Sequence, residues 1–145
     1  MRDYVVGLLF NQTKTKVVLL EKKHGPPCVV GKWNGVGGKI EDGESPASAM
    51  AREFKEEAGQ PIGAHNWNHF CTLKSDVHQV HFFAAFVPQF ILDGCSAQED
   101  EPVDVFDIHD LPDELMHNIR WMIPFVLDDQ VQHDLGLLKL NYTDK

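Results

Sequence analysis

Two apolar periods run along this chain. Residues 4–10 (YVVGLLF) and 16–21 (KVVLLE) are apolar, β-branched runs on either side of the polar stretch NQTKTK, a pattern that predicts a hairpin. Strand-like runs recur over 69–73, 80–87 and 103–108, with the polar stretches SAQEDEP and HDLPDE read as a loop and a turn around the last of them. HGPPCVVGKWNGVGG is rich in Gly and Pro and predicts a loop leading into a short strand. The other period is helical. At ~100° per residue, Ala47, Met50, Ala51, Phe54 and Ala58 fall on one stripe, and Ile119, Met122, Ile123, Val126 and Leu127 make a second stripe within 118–129. The tail LLKLNY reads as a last short strand. A strand-rich chain with one helix in the middle and one late predicts an α+β fold, a mixed β-sheet flanked by helices on its faces.

The first helix carries its own boundaries. Ser45 is placed as N-cap, and Pro46 stands at the first helical position, where a missing N–H costs nothing. Gly59 is placed to end the helix as a left-handed residue.

Composition narrows the classes. The 145 residues are 43% hydrophobic and 24% charged, ordinary for a globular chain, and residues 1–145 read as a single domain without repeats or linkers. A net charge of −9 excludes a basic footprint for duplex nucleic acid. A small anion remains a possible partner if a divalent cation sits between it and the acids. Cys28, Cys71 and Cys95 are scattered and form no CxxC pair, which predicts reduced thiols and a cytoplasmic protein. No run reaches the ~18 apolar residues of a membrane span, and no secretory signal opens the chain.

The charge that needs explaining lies late in the first helix. Glu53 and Glu57 are i, i+4, and Glu56 is i, i+3 from Glu53, with Arg52 and Lys55 beside them. Like charges at these spacings destabilise a helix, and glutamates in its last turn oppose the helix dipole. A solvated acidic face relieved by Arg52–Glu56 pairing is one reading. The other is a hard divalent cation, which takes oxygen ligands and makes partly buried carboxylates favourable. Gly37 and Gly38 precede the helix and let backbone carbonyls approach such an ion.

Gly38, five residues, Glu44, seven residues, then Arg52-Glu53-Phe54-Lys55-Glu56-Glu57-Ala58-Gly59 resembles the Nudix box, G-x5-E-x7-R-E-U-x-E-E-x-G-U with U a bulky apolar residue. Every fixed position matches, and Gln60 is the one departure, standing where the family has an aliphatic residue. The resemblance implies an α/β/α sandwich and hydrolysis of a nucleoside diphosphate linked to another group, with Mg²⁺, or Mn²⁺ in its place. It implies Glu53, Glu56 and Glu57 as metal carboxylates, joined by a carbonyl of Gly37 or Gly38, with Arg52 orienting a glutamate and Glu44 supporting the loop. A further acid from the QEDEP loop is expected, from Glu99, Asp100 and Glu101, with Glu99 for preference. Gly37, Gly38 and Lys39 are expected to meet the substrate.

WNGVGGKIEDGE is similar to the MutT-type branch that hydrolyses 8-oxo-dGTP, and the likeness extends more weakly to VFDIHDLP and RWMIPFVL. It implies Asn34 as a reader of the purine; equally, Asn34 is a turn residue before Gly35. Asn118 is a second candidate base reader and, equally, the N-cap of the late helix. The aromatic and paired aspartates of animal-type sanitising enzymes are replaced here by Leu115, His117 and Asn118 within ELMHNIRW, and Ser75 stands where ADP-ribose hydrolases of the family carry a proline. The substrate expected is a nucleoside triphosphate, an oxidised one included, acted on by a monomer or homodimer. Dinucleoside polyphosphates, nucleotide sugars and capped RNA ends are the alternatives, with a non-catalytic nucleotide-binding module as a further class. His78 and His81 lie three apart in a strand and are expected on opposite faces. Trp33 is expected under the box loop.

Overall fold

The computed structural model describes residues 1–128 and 138–141. The expected hairpin is β1 (Arg2–Asn11) and β2 (Lys16–Glu21), paired antiparallel with Leu9 opposite Val18. Its turn is built on Asn11, whose Oδ1 accepts from the Thr15 and Lys16 amides at 2.9 and 3.0 Å. The Gly/Pro-rich loop leads into two short strands rather than one, β3 (Trp33–Asn34) and β4 (Val36–Lys39). Then follow α1 (Pro46–Ala58), a 3-10 turn (Ala64–Asn66), β5 (Asn68–Lys74) and β6 (His78–Val87). The remainder is a one-turn helix α2 (Gln89–Asp93), β7 (Val103–Asp107), α3 (His117–Leu127) and β8 (Leu138–Asn141). The ends of the two C-terminal expectations, Asp129 of the helix and Leu137 and Tyr142 of the strand, lie outside the described residues.

The sheet is mixed, in the order β3-β2-β1-β6-β5-β8, with β4 also on β1 and β7 also on β2. β1 and β6 run parallel through ten residue pairs at the centre, so both faces of this pair are covered and both strands are apolar almost throughout. Side chains alternate between two cores. Val5, Leu9, Phe83 and Ala85 meet Met50, Phe54 and Ala58 of α1, while Leu8, Phe10, Phe82 and Ala84 meet Ile119, Met122, Ile123 and Val126 of α3. Each helix thus buries the centre of the stripe its spacing foretold, with Ala47, Ala51 and Leu127 half-buried at the margins and Ala49, outside the stripe, wholly buried.

Trp33 does not lie under the box loop. It packs on the α3 side, edge-on to Phe106 of β7 with ring centroids 4.9 Å apart, because β3 pairs with the end of β2 on the edge opposite β7. His78 and His81 do face opposite ways: His78 packs on Tyr4, while His81 contacts Thr72 and Asp3. Phe54 is wholly buried and tilted against Trp67 at 5.4 Å, between α1 and the sheet. Phe54→Ala is expected to cost about 3–5 kcal/mol, read as a lowered urea midpoint with an unchanged denaturant slope.

Candidate active site at the end of helix α1

Ser45 caps α1 by accepting from the Ser48 amide, and Gly59 ends it at φ 84°. Between these caps Arg52 gathers the acids. Its Nε and Nη2 donate to the two oxygens of Glu44 at 2.7 and 2.8 Å, and its Nη1 donates to Glu53 at 2.9 Å and Glu56 at 3.2 Å. Nη2 also reaches the Lys39 carbonyl at 3.1 Å, which ties the helix to the end of β4. The fork holds Glu44 down to about 2, and its partners raise the guanidinium's own affinity for its proton.

Glu53 and Glu57 sit one turn apart and are largely buried. Burial raises both carboxyls above their ordinary range; Arg52 opposes the shift at Glu53, and the neighbouring Glu53 charge reinforces it at Glu57, which is pushed up to about 8. Glu57 Oε2 is buried without a hydrogen-bond partner. Glu56 is exposed. Among the described residues, no three His, Cys, Asp or Glu side chains already converge on one point. The donors still fit a hard divalent ion that keeps several waters: two crowded carboxylates, one with an orphaned oxygen, and the backbone of β4 alongside.

The two box glycines have different reasons to be glycine. A Cβ on Gly37 would stand 1.9 Å from the Val5 carbonyl oxygen, inside the β1–β4 ladder. A Cβ on Gly38 would meet the Glu53 carboxylate at 2.6 Å, so the glycine is the floor on which that carboxylate rests.

On the opposite face of the same strands lies a cavity of ≈ 510 Å³. Its floor is apolar, with Val6, Leu73, Val80 and Phe82, and its rim carries Asn34, Gly37, Gly38, Lys22 and Asn118. β3 brings the two asparagines together. The Trp33 amide donates to the Glu114 carbonyl at 2.6 Å and the Met116 amide to the Trp33 carbonyl at 2.9 Å, so the entry to α3 is stitched to the residue before Asn34. Met116, not Asn118, is the cap of α3. Asn118 lies inside the first turn, and its Oδ1 is buried with no hydrogen-bond partner. Asn34 Oδ1 accepts from the Gly35 amide at 2.8 Å, leaving its NH₂ free to donate.

A family model for the NUDIX domain matches residues 1–126. The chain belongs to the Nudix family. It is therefore a pyrophosphohydrolase, a hydrolase of phosphoric anhydrides. Solved structures share the fold at low identity. A MutT from work on Aliivibrio salmonicida and Vibrio cholerae is 24% identical, with a TM-score of 0.66 over 91% of this chain and 94% of that one. The MutT Nudix hydrolase of Burkholderia pseudomallei is 21% identical, with a TM-score of 0.68 over 85% and 95%. The mutator MutT protein of Bacillus halodurans is 19% identical, with a TM-score of 0.68 over 99% and 91%. These likenesses carry the α/β/α sandwich. No described helix is long and apolar enough to cross a membrane.

Within this Nudix site Arg52, Glu44, Glu53, Glu56 and Glu57 stand together, as do Asn34, Gly37, Gly38 and Asn118 around the cavity. Two expected residues stand elsewhere. The Lys39 side chain is exposed and does not line the cavity, so only its carbonyl serves the site, by accepting from Arg52. Glu99 is exposed, and the acid of its loop that reaches inward is Glu101. Glu101 accepts from the Lys23 amide at 2.8 Å, pairs with Lys22 Nζ at 3.3 Å, and adds its charge to the field that raises Glu57. Lys22 opposes that field and lines the cavity as well. Glu101 was one of the three acids this loop offered, though Glu99 was preferred; Lys22 was not expected, and the doubled lysine after β2 was its one available signal. The buried thiols are poor nucleophiles, since burial lifts Cys71 and Cys95 to about 11.

The glycines and the glutamate pair lead to two expectations. Gly37→Ala should destabilise the fold by about 3 kcal/mol or more, whereas Gly38→Ala should melt near wild type and displace Glu53; melting curves with turnover on each variant check this. A carboxyl whose pKa is raised on folding holds its proton more tightly in the folded state, so its contribution is full below the unfolded value of 4.5 and fades as pH climbs towards about 8. Metal-free protein should therefore lose melting temperature from about pH 5 to about pH 8. Glu57→Gln should flatten that fall, and Mg²⁺ should raise the wild-type melting point at the upper end; melting in chelator across that range decides it.

Proposed function

We propose that this Nudix hydrolase cleaves nucleoside triphosphates, oxidised (d)NTPs such as 8-oxo-dGTP included, to the nucleoside monophosphate and pyrophosphate, with Mg²⁺ as its ion and Mn²⁺ as substitute. The observation that carries the reading is the pair of asparagine amides on one apolar cavity that shares Gly38 with the acid cluster. The MutT proteins that share the fold lend support.

The base enters the cavity over Val6, Val80 and Phe82, where a flat apolar ring displaces water from an apolar floor. The Asn34 NH₂ donates to a carbonyl of the base, and the orphaned Asn118 Oδ1 accepts from a ring or exocyclic N–H. A 6-oxopurine offers both groups on one edge. The phosphates then run past Gly37 and Gly38 towards Glu53 and Glu57. Lys22 is on the cavity side of Glu101, where its ammonium offsets phosphate charge.

Glu53, Glu57 and a β4 carbonyl would hold the ion, with Glu56 and Glu101 within the same acidic field. When bound, the ion polarises phosphoryl oxygens and lowers the pKa of a water. Arg52 favours the ionised form of Glu53 against its burial and aims it by donating to it, and Glu44 fixes Arg52 by a two-point bond. A carboxylate of this cluster takes the proton of the attacking water as the oxygen–phosphorus bond forms and pyrophosphate leaves.

A panel of (d)NTPs, 8-oxo-dGTP, dinucleoside polyphosphates and nucleotide sugars, with products separated by anion exchange, tests the reading. Equal amounts of monophosphate and pyrophosphate from a triphosphate are expected, and orthophosphate alone would overturn it. Glu57→Gln should lose about 100-fold or more in kcat with its fold intact. Asn118→Ala should raise KM for the preferred base about tenfold and leave other bases little changed.

A further inference from the structure

Gln60 is the single departure from the box, and its side chain is employed. Its Nε2 donates to the Gly94 carbonyl at 2.9 Å and lies over Gly94 so closely that a Cβ there would meet it at 2.6 Å. The arrangement is reciprocal. Gln98, from the same loop as Gly94, lies over Gly59, where a Cβ would meet its Nε2 at 2.7 Å. Its amide is folded down by bonds to Ser96 O and Oγ at 3.0 and 3.1 Å. Two backbone bonds run between these contacts: the Ser96 amide donates to Ala58 O at 3.0 Å and the Gln98 amide to Glu57 O at 3.1 Å. The last carbonyls of α1 are thus satisfied by the loop that follows α2, not by water. Three residues beyond Gln98 that loop delivers Glu101 to Lys22 and to the Lys23 and His24 amides.

The geometry points to Gln60 as a positioning residue: by clasping Gly94 it locks the loop over 94–101 to the end of α1, and so sets where Glu101 stands relative to Glu57. An aliphatic side chain at this position packs but cannot hold the Gly94 carbonyl. A polar clasp is directional, and fixes the loop along the helix axis as well as against it. Gln60 touches no substrate and acts through Glu101 and Glu57. The inference rests on the proposed metal site, and its consequence is a tighter and better aimed ion site.

Gln60→Leu removes the bond, and Gly94→Ala pushes the Gln60 amide away from the other side. Gly94 has φ −84°, which alanine adopts without strain, so the second variant decides the matter even if the first does not fold. Mn²⁺ binding is titrated without nucleotide by water-proton relaxation, beside melting curves and steady-state kinetics. Each variant is expected to bind Mn²⁺ about tenfold more weakly and to lose a similar factor in kcat at limiting metal, with KM for nucleotide within about twofold of wild type. The double variant should be no worse than either single one, because both break one contact. Unchanged Mn²⁺ affinity in a folded Gly94→Ala protein would overturn the clasp, whatever the substrate proves to be. Weakened Mn²⁺ binding in a protein that hydrolyses no triphosphate would sustain the clasp and overturn the proposed substrate instead.

Discussion

Glu53 and Glu57 are buried against each other, and two carboxylates so placed cannot both be charged in a low-dielectric corner without a counter-charge. Most of the surrounding structure bears on that conflict. Arg52 opposes it at Glu53 by donating to that carboxylate, and is itself held by both oxygens of Glu44. Gly38 makes room for the Glu53 carboxylate, and Lys22 sends positive charge from the cavity side. What remains is one oxygen of Glu57 with no partner. An oxygen left without a partner among crowded carboxylates suits a hard cation, and the crowding itself costs stability at neutral pH.

How much of this could be read from the chain depended on whether the residues were neighbours in sequence. Helix α1 was legible to its caps, because Ser45, Pro46 and Gly59 act locally and the apolar stripe has a helical period. The acid cluster was legible for the same reason, since Arg52 to Glu57 span less than two turns. The fourth acid was not. Glu99, Asp100 and Glu101 are equivalent as letters, and what selects Glu101 is the backbone of Lys23 and His24, about eighty residues earlier, offering two N–H donors.

The cavity was less legible still. Its floor comes from β1, β5 and β6, its lip from the loop after β2, and its far wall from the start of α3. Tyr4, His78 and Phe82 line it only because β1 and β6 run parallel in one register, with Tyr4 opposite Val80. Short elements escaped notice by their brevity. α2 is one turn long, and the two residues of β3 sit in a Gly/Pro-rich stretch that carries no period. Trp33 was misplaced with them, since nothing local says that β3 joins the edge of β2 instead of folding under the box.

That short strand matters out of proportion to its length. By bonding to 114–116 it places Asn34, from the approach to the box, beside Asn118, from the first turn of α3. Neither amide belongs to the acid cluster, and neither is bonded to it. On the proposed reading, changes at Leu115 to Asn118 would alter which base edge is accepted while Arg52 and its glutamates keep their geometry. The reverse coupling is tighter, since Gly38 serves both halves: it lines the cavity and lies against the Glu53 carboxylate. A side chain there would disturb binding and hydrolysis together, whereas the asparagines can change without touching the bond that breaks. On the proposed reading, such a division would let one hydrolytic centre serve different bases.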